Sequence, residues 1–361
     1  MRAVVKVGTS SVTRETGELD DAALAKLASE VADAHSAGHS VVLVSSGAIA
    51  AGLPALGLAR RPNDIGILQA IAAVGQPRLM ARLADEFGGR GLVTGQVLLT
   101  PHDFGQRAQY LHARQTLGCL LDLDVVPVVN ENDTVADDEI RYGDNDRLAA
   151  LVSHLVHADV LVLLTDTHGL FTADPRLDTE ASLIEEIIEV DAALEAVAGG
   201  AGSDRGSGGM ASKLAAAKIA AWSGVRSVIA SADTPGVLRR AIEAEPVGTV
   251  VVPRPDRLPS RKLWIAFALG ASGRVVVDAG ARRALTADHR SLLPAGVRGV
   301  EGRFDADDAV EVVTDDGVAF AKGLVRYGSD ALRQVAGKRT TDLPDGAPHE
   351  VIHRDDLVVL A

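Results

Sequence analysis

The chain has 361 residues, a formal net charge of -13 and a single cysteine, Cys119. This length predicts two domains with a sizeable buried core, and the acidic charge argues against general binding to nucleic acid or anionic membranes, which requires a basic surface. The lone cysteine excludes an intramolecular disulfide, the start MRAVVKVGTSS has too short an apolar run for a signal peptide, and no apolar run reaches membrane-spanning length. We therefore expect a cytoplasmic protein that does not enter a membrane.

The first 250 residues alternate short apolar runs with helical patterns. An amphipathic helix is predicted over Asp20–Ser36, closed by Gly38, and a shorter helix over residues 48–52. The apolar runs predicted as strands are Ala3–Val7, Ser40–Val44, Val125–Val129, Val160–Leu164 and Val225–Ala230. Unbroken apolar strands that alternate with helices predict an α/β fold in which helices cover both faces of a mostly parallel central sheet. Ligands of such folds bind beyond the carboxyl ends of the strands.

A proline-dense stretch, Pro246–Pro259, ends this pattern. Brief strand-like runs follow (RVVVD, AVEVV, VAFA and LVVLA), separated by Gly and Asp turns. The predicted boundaries are a first domain over residues 1–253, a linker over 254–270 and a small C-terminal β-rich domain over 271–361.

The loop NENDTVADDEIRYGDND, residues 130–146, contains seven carboxylates and three asparagines between two apolar segments. One interpretation is a solvated surface loop, the usual explanation of an acidic run. The other is that some of these groups orient cations and a zwitterionic substrate.

Two short loops follow predicted strands. Lys6 lies inside an apolar strand and precedes Gly8, so its ammonium is expected at the end of that strand, facing an anion; the alternative is an edge-strand lysine that points to water. Ser45–Ala48 lies where a strand turns into a helix, which suits either an anion site or an ordinary serine N-cap.

The segment GGAGSDRGSGGMASK, residues 199–213, places six glycines before an alanine-rich helix. It predicts a phosphate-binding loop rather than a flexible linker, with Lys213 as an exposed lysine near the start of the helix, although the Walker A ending is absent. Gly206, Gly208 and Ala211 also satisfy G-x-G-x-x-A, with Asp233 further on. That dinucleotide motif should directly follow a strand, and a helix and a glycine-rich loop are predicted there instead.

Thr165–Asp166 closes a third apolar strand. An acid at the carboxyl end of a strand can serve a ribose or a metal-bound phosphate, or it can simply form a turn. No His/Cys cluster has the spacing of metal ligands, so no protein-held metal is predicted.

The stretches KVGTS, VSSGAIAAG, AAVGQ, VVPVVNENDTV, GDND, LLTDTHGLFTADPR and SGGMASK occur in the order and spacing of the amino acid kinase superfamily. The chain most closely resembles the glutamate 5-kinase family over about 260 residues, and its tail resembles the PUA domain. The implied architecture is a three-layer α/β/α sandwich with a small β-rich PUA-like domain.

The resemblance assigns roles to individual positions. It implies that Lys6 and Lys213 hold the β- and γ-phosphates of ATP and that Asp146 holds the lysines in place. The implied substrate-binding residues are Ser46, Gly47, Asp133, Asp144 and Asn145. The implied ATP-binding residues are Lys6, Gly8, Thr165, Asp166, Ser207, Gly208, Gly209, Met210, Ala211, Ser212 and Lys213. Mg²⁺ is expected on the phosphates of the nucleotide.

The implied reaction is ATP-dependent phosphorylation of the γ-carboxylate of L-glutamate, which gives L-glutamyl 5-phosphate and ADP in the first step of proline biosynthesis. Asp133 is expected to pair with the α-ammonium of glutamate, which favours a free amino acid over one with a blocked amine. Asp137, Asp138 and Glu139 are interpreted as solvated loop. Proline as an inhibitor and a homo-oligomer, dimer or tetramer, are further implications of the family.

Two other functions are open to test. The tail could make the chain an RNA-binding or regulatory protein, but residues 271–361 hold 12 Lys/Arg against 15 Asp/Glu and few aromatics, so RNA is not expected as a partner. Asp307 stands where the PUA pattern commonly has glycine, which makes the turn there uncertain. An NAD-dependent oxidoreductase is the other alternative.

Overall fold

The computed structural model describes residues 1–14, 18–135, 144–175, 177–199, 209–344 and 346–360. The chain divides into two compact units, Met1–Arg257 and Leu258–Ala361. None of the described helices is both long enough and apolar enough to cross a membrane.

The first unit is built on an eight-stranded sheet. Its strands are β1 (Arg2–Val7), β2 (Ser40–Val44), β3 (Val93–Leu99), β4 (Val125–Glu131), β5 (Val160–Thr165), β6 (Glu186–Ile187), β7 (Arg226–Ser231) and β8 (Thr249–Val251). They lie in the order β3-β4-β2-β1-β5-β7-β8-β6, and every neighbouring pair is parallel except β7 and β8. All five predicted strands of this unit are confirmed, and the sheet is mostly parallel as predicted.

Helices cover both faces of this sheet. They are α1 (Asp21–Ser36), α2 (Ala48–Gly52), α3 (Ile65–Gly88), α4 (Pro101–Gly105), α5 (Arg107–Asp122), α6 (Asp144–Leu155), α7 (Ala192–Gly199), α8 (Met210–Trp222) and α9 (Val237–Ile242). Val5 and Val7 of β1 pack in one core with apolar residues of α1, α3 and α9. Because side chains alternate along a strand, Val4 and Lys6 face the opposite side, where α6 contacts β1. The result is the expected three-layer α/β/α sandwich.

The predicted amphipathic helix begins one residue later than its pattern suggested. Asp20 is the N-cap, and its carboxylate accepts hydrogen bonds from the backbone N–H groups of Ala22 and Ala23. Gly38 follows the last turn with a φ of 82°, a conformation that glycine adopts without a steric penalty.

The second unit holds a five-stranded sheet and three short helices. The strands are β9 (Gly273–Val277), β10 (Val297–Gly302), β11 (Ala309–Val313), β12 (Ala319–Val325) and β13 (Ile352–Val359), and the helices are α10 (Ser260–Leu263), α11 (Ala279–Thr286) and α12 (Ser329–Val335). The strand order is β10-β9-β11-β12-β13, around a core that includes Phe304 and Phe320. This unit is the small β-rich domain that the sequence predicted.

The turn at Asp307 forms even though glycine is missing. Asp307 has a φ of 72°, in the left-handed region that favours glycine, and its N–H donates to the carbonyl of Val325 at 2.7 Å. Aspartate tolerates this region better than most residues, since its short polar side chain bonds locally.

Helical turns occupy part of the segment predicted as a linker. Helix α10 runs directly into a π-helical turn, Trp264–Ala268. Lys322 of β12 is buried, and its ammonium donates to the carbonyl oxygens of Ala266, at 3.4 Å, and Leu269. The C-terminal end of this helical segment is thereby satisfied by a side chain of the second unit's own sheet.

Candidate active site

The carboxyl ends of the central strands meet at one edge of the first sheet. Lys6 near the end of β1 lies opposite Val44 of β2 and Leu163 of β5. In a parallel sheet the segments that follow such strands all leave from the same edge, which is where α/β folds bind ligands. The loops after β1, β2 and β5 are therefore neighbours.

A buried carboxylate joins two buried lysines at this edge. Asp146 Oδ1 lies 2.7 Å from Lys6 Nζ and Asp146 Oδ2 lies 3.5 Å from Lys213 Nζ. Asp146 is 0% exposed, Lys6 4% and Lys213 5%. The hydroxyl of Ser212 donates to Asp146 Oδ2 at 2.6 Å. The expectation that Lys213 is an exposed loop lysine is wrong, because it lies in the first turn of α8, which packs against α6.

Burial and neighbouring charge act in opposite directions on these groups. Burial raises the pKa of Asp146, but the ammonium groups of Lys6 and Lys213 together with the Ser212 hydroxyl outweigh it, so the pKa lies below its ordinary value. Burial lowers the pKa of Lys213, and Lys6 lowers it further, against the opposing effect of Asp146 and Asp166. Two ammonium groups are thus brought together around the carboxylate of Asp146 at this edge of the sheet. Two neighbouring cations suit an anionic ligand.

The loop after β2 faces the start of α6. Asn145 Nδ2 donates to Ser46 Oγ at 3.2 Å, and Ser46 is 8% exposed. The next residue, Gly47, has a φ of 107° and precedes α2, so the chain turns sharply just after Ser46. Asn145 Oδ1 is buried and has no hydrogen-bond partner among the described residues. An unsatisfied buried acceptor at this edge is a candidate ligand contact.

Three further buried polar residues adjoin these loops, and none of them was predicted individually as a site residue. Asn130 at the end of β4 donates through Nδ2 to Gln76 Oε1 at 2.7 Å. Within the described part of the chain, Gln76 Nε2, Asn130 Oδ1 and Ser45 Oγ are buried without a partner. A signal was present in the sequence: Gln76 closes the AAVGQ stretch and directly precedes Pro77 inside a helix, where proline is rare.

Close packing of α2 on α3 brings Gln76 to this edge. A Cβ atom on Gly75 would lie 1.8 Å from the carbonyl oxygen of Ala48, and one on Gly52 would lie 2.2 Å from that of Ile71. Only glycine permits such an approach. The start of α2, after Ser46, is therefore held against the part of α3 that carries Gln76.

The described residues predicted to bind the nucleotide lie after β1, at the end of β5 and at the start of α8. Thr165 ends β5, and its hydroxyl donates to Asp166 Oδ1 at 3.1 Å. Gly209 is the N-cap of α8, its carbonyl accepts from the Ser212 N–H at 3.1 Å, and Met210 and Ala211 form the first turn. A Cβ on Gly8 would lie 3.5 Å from Lys6 Nζ, so a small residue there keeps space beside the ammonium.

The remaining predicted site residues are less fully described. Asp133 is half-buried just beyond β4, and Asp144 is the first residue of α6. Ser207 and Gly208, like Asp137, Asp138, Glu139 and Gly206, lie outside the described residues. The described element that precedes the G-x-G-x-x-A stretch is helix α7, not a strand. Among the described residues, no group of three or more His, Cys, Asp or Glu side chains is arranged to hold a metal ion.

Comparisons with known proteins agree with this architecture. Residues 1–231 match the model of the amino acid kinase family, and residues 273–346 match that of the PUA domain. An X-ray structure of isopentenyl phosphate kinase matches with a TM-score of 0.50 and 20% identity, covering 70% of this chain and 100% of that one, which supports the fold alone.

Curated relatives match over nearly the whole length. A glutamate 5-kinase from Laribacter hongkongensis (strain HLHK9) is 50% identical, over 99% of this chain and 98% of the relative. A glutamate 5-kinase from Moorella thermoacetica (strain ATCC 39073 / JCM 9320) is 45% identical, over 99% of this chain and 96% of the relative. The chain therefore belongs to the amino acid kinase family, within its glutamate 5-kinase branch.

Proposed function

We propose that the chain phosphorylates the γ-carboxylate of L-glutamate with ATP and releases ADP and L-glutamyl 5-phosphate. The observation that carries the proposal is the pair of buried lysines, Lys6 and Lys213, which both contact the carboxylate of Asp146 at the carboxyl edge of the sheet. The choice of glutamate as the substrate is supported by relatives called glutamate 5-kinase, which are 45% to 50% identical over 99% of this chain.

Charge explains why two lysines serve this reaction. A carboxylate oxygen attacks the γ-phosphorus of ATP, and the bond between that phosphorus and the oxygen bridging to the β-phosphate breaks, so two anions must approach each other. Preorganised cations offset the repulsion and stabilise charge on the transferring group. Lys6 and Lys213 contact the phosphates, and Asp146, which accepts a hydrogen bond from Ser212, holds both lysines in position. A carboxylate is already ionised at neutral pH, so no general base is required.

The substrate side is assigned to the polar residues between β2, β4 and α6. Asp133 pairs with the α-ammonium of glutamate, and Ser46 and Asn145 hydrogen-bond the substrate beside it. Gln76 Nε2, which has no acceptor among the described residues, is a donor suited to a carboxylate, and Asn130 Oδ1, likewise without a donor there, is an acceptor suited to an ammonium. Gly47 and Asp144 are assigned to the same substrate side. An amine-binding carboxylate favours a free amino acid over an N-acylated one.

The nucleotide side comprises Gly8, Thr165, Asp166 and the first turn of α8. Its backbone N–H groups and helix N-terminus suit phosphate oxygens. Mg²⁺ would be held mainly by phosphate oxygens and water, as is usual for this ion at nucleotide sites, and when bound it supplies additional positive charge at the β- and γ-phosphates. The two ammonium groups of the lysine cluster fit an incoming polyphosphate.

Further parts of the proposal concern regulation and organisation. Proline, which shares the α-carboxylate and amine of glutamate, is proposed to inhibit the enzyme at a site that coincides or overlaps with the glutamate site. The chain is also proposed to act in the cytoplasm as a homo-oligomer. We place a catalytic domain over residues 1–253, a connecting segment over 254–270 and the PUA-like domain over 271–361. The acidic balance of the latter supports a structural or regulatory role rather than RNA binding.

The test is ADP release with Mg-ATP and, in parallel, glutamate, N-acetylglutamate, aspartate, carbamate or UMP. Hydroxylamine traps an acyl phosphate as the hydroxamate, and proline is added to a matched set. Glutamate-dependent ADP release with hydroxamate formation is expected. Turnover with another acceptor would overturn the substrate, and a folded protein that binds ATP but turns over none of the acceptors would overturn the kinase assignment.

A further inference from the structure

A hairpin-like arm, residues 170–184, leaves the sheet beside the proposed nucleotide site. We call it the arm; residue 176 within it is not described. Its two sides are joined by backbone hydrogen bonds from Thr172 N–H to the carbonyl of Ser182, at 2.9 Å, and from Ile184 N–H to the carbonyl of Leu170, at 2.8 Å. The arm begins four residues after Asp166, whose carboxylate is close enough to Lys213 to act on its charge. Only three residues, Thr167, His168 and Gly169, separate Asp166 from the base of the arm.

One hydroxyl fastens both sides of the arm at its base. Thr249 Oγ1 accepts from the Leu170 N–H at 2.8 Å and donates to the Ile184 carbonyl at 2.6 Å. Thr249 is the first residue of β8 and is 0% exposed, and the bond from the Leu170 N–H is buried, so loss of the hydroxyl would leave that N–H without its acceptor.

The turn that leads into the arm is shaped around the same side chain. Gly169 has a φ of 153°, and a Cβ atom there would lie 2.6 Å from Thr249 Oγ1. The chain thus approaches the hydroxyl more closely than any residue with a side chain could. Thr249 fixes the turn, and the turn begins at Asp166.

We propose that Thr249 is a positioning residue for nucleotide binding: its hydroxyl holds the arm and the Asp166 turn in the arrangement that accepts ATP, without touching the nucleotide. This inference rests on the proposed function. If the arm is released, only part of the molecules present a competent site, and apparent affinity falls by that fraction. The binding of glutamate, between β2, β4 and α6, does not depend on the arm.

The test compares Thr249→Val, which removes the hydroxyl at nearly constant volume, with Thr249→Ser, which keeps it. Ser227→Ala is the matched control, because Ser227 is a buried residue of the adjacent strand β7 whose hydroxyl has no partner among the described residues. With Mg²⁺ and the fluorescent analogue mant-ATP, the valine variant is expected to bind about tenfold more weakly if about a tenth of the molecules stay competent. The dissociation constants of the serine variant and of the control for mant-ATP should stay within about twofold of that of the unmodified chain.

Steady-state kinetics separate positioning from general damage. In the valine variant the KM for ATP should rise while the KM for glutamate stays unchanged. Equal rises in both constants, no change in mant-ATP binding, or failure of serine to restore it would overturn the proposal. The mant-ATP measurement needs no acceptor, so loss of glutamate-dependent turnover in the unmodified chain would refute the proposed function and leave this inference testable.

A measurement on the unmodified chain covers the case in which the valine variant fails to fold. Amide hydrogen exchange is followed in peptides spanning residues 167–184, with and without Mg-ATP. Nucleotide binding should slow exchange at the base of the arm, since the competent arrangement is then fully populated. Unchanged exchange in these peptides at saturating nucleotide would overturn the proposal.

Discussion

Replacement of Asp146 by asparagine tests whether the lysine cluster is a single electrostatic unit. Asp146 is the carboxylate that both Lys6 and Lys213 contact, and all three side chains are at most 5% exposed. The Asp146→Asn variant keeps the shape and can keep a hydrogen bond to Ser212, but it removes the negative charge that both buried ammonium groups contact. Breaking a buried ion pair in this way costs about 3 kcal/mol or more of unfolding free energy.

The cost can be expressed as a melting temperature. A loss of about 3 kcal/mol lowers the Tm by about 6 to 12 °C for a unit of this size. Mg-ATP brings negative charge to the same place, so the Tm increase on adding Mg-ATP should be larger in the variant than in the unmodified chain. Differential scanning calorimetry with and without nucleotide measures both quantities.

The control is Glu195→Gln, which removes the carboxylate that pairs with Lys218, another lysine of α8, at 2.7 Å. Glu195 is 49% exposed, and an exposed pair contributes about 1 kcal/mol or less. If Asp146→Asn destabilises no more than this control, or if Mg-ATP does not raise its Tm by the larger amount, the cluster is not an electrostatic unit and the reasoning is refuted.

Three further predictions concern the same unit. Lys213→Met should lower kcat by about 10² to 10³ because one cation that stabilises the transition state is lost. The Tm should change little because Asp146 still pairs with Lys6. Normal turnover in a steady-state assay would show that Lys213 does not take part in the reaction. Gly75→Ala should lower the free energy of unfolding by about 1 to 3 kcal/mol through overpacking. Gly118→Ala, in a helix with open space around it, should instead raise it by about 1 kcal/mol. Equal unfolding free energies of the two variants in urea would contradict the close approach of α2 and α3. Because burial lowers the pKa of Lys213, this lysine should lose its proton at a lower pH than an ordinary lysine. Its contribution to the free energy of unfolding should therefore increase as the pH rises from its folded-state pKa toward its unfolded-state pKa. A titration of the seven labelled lysines by NMR measures the pKa, and a normal or raised value for Lys213 would contradict the prediction.

Apolar continuity is why the strands could be predicted from the sequence. A strand buried on both faces, such as Val160–Thr165, carries no polar side chain before its end, so its pattern needs no tertiary information. Strand β3 escaped prediction because it lies at the sheet edge and its Thr94, Gly95 and Gln96 interrupt the apolar run. Exposure at the edge relaxes the requirement for apolar residues.

The sequence by itself determined the fold class, the position of the loops after the strands and the types of residue in the proposed ATP and glutamate sites. It did not determine which charges meet. Lys6, Asp146 and Lys213 lie on three elements far apart in sequence, and their burial follows from the packing of α6 against β1 and of α8 against α6. The Gln76–Asn130 hydrogen bond depends in the same way on where α3 passes the end of β4. Side-chain type is a local property that a pattern can reveal, whereas desolvation and pairing depend on distances that only the folded sheet and helices establish.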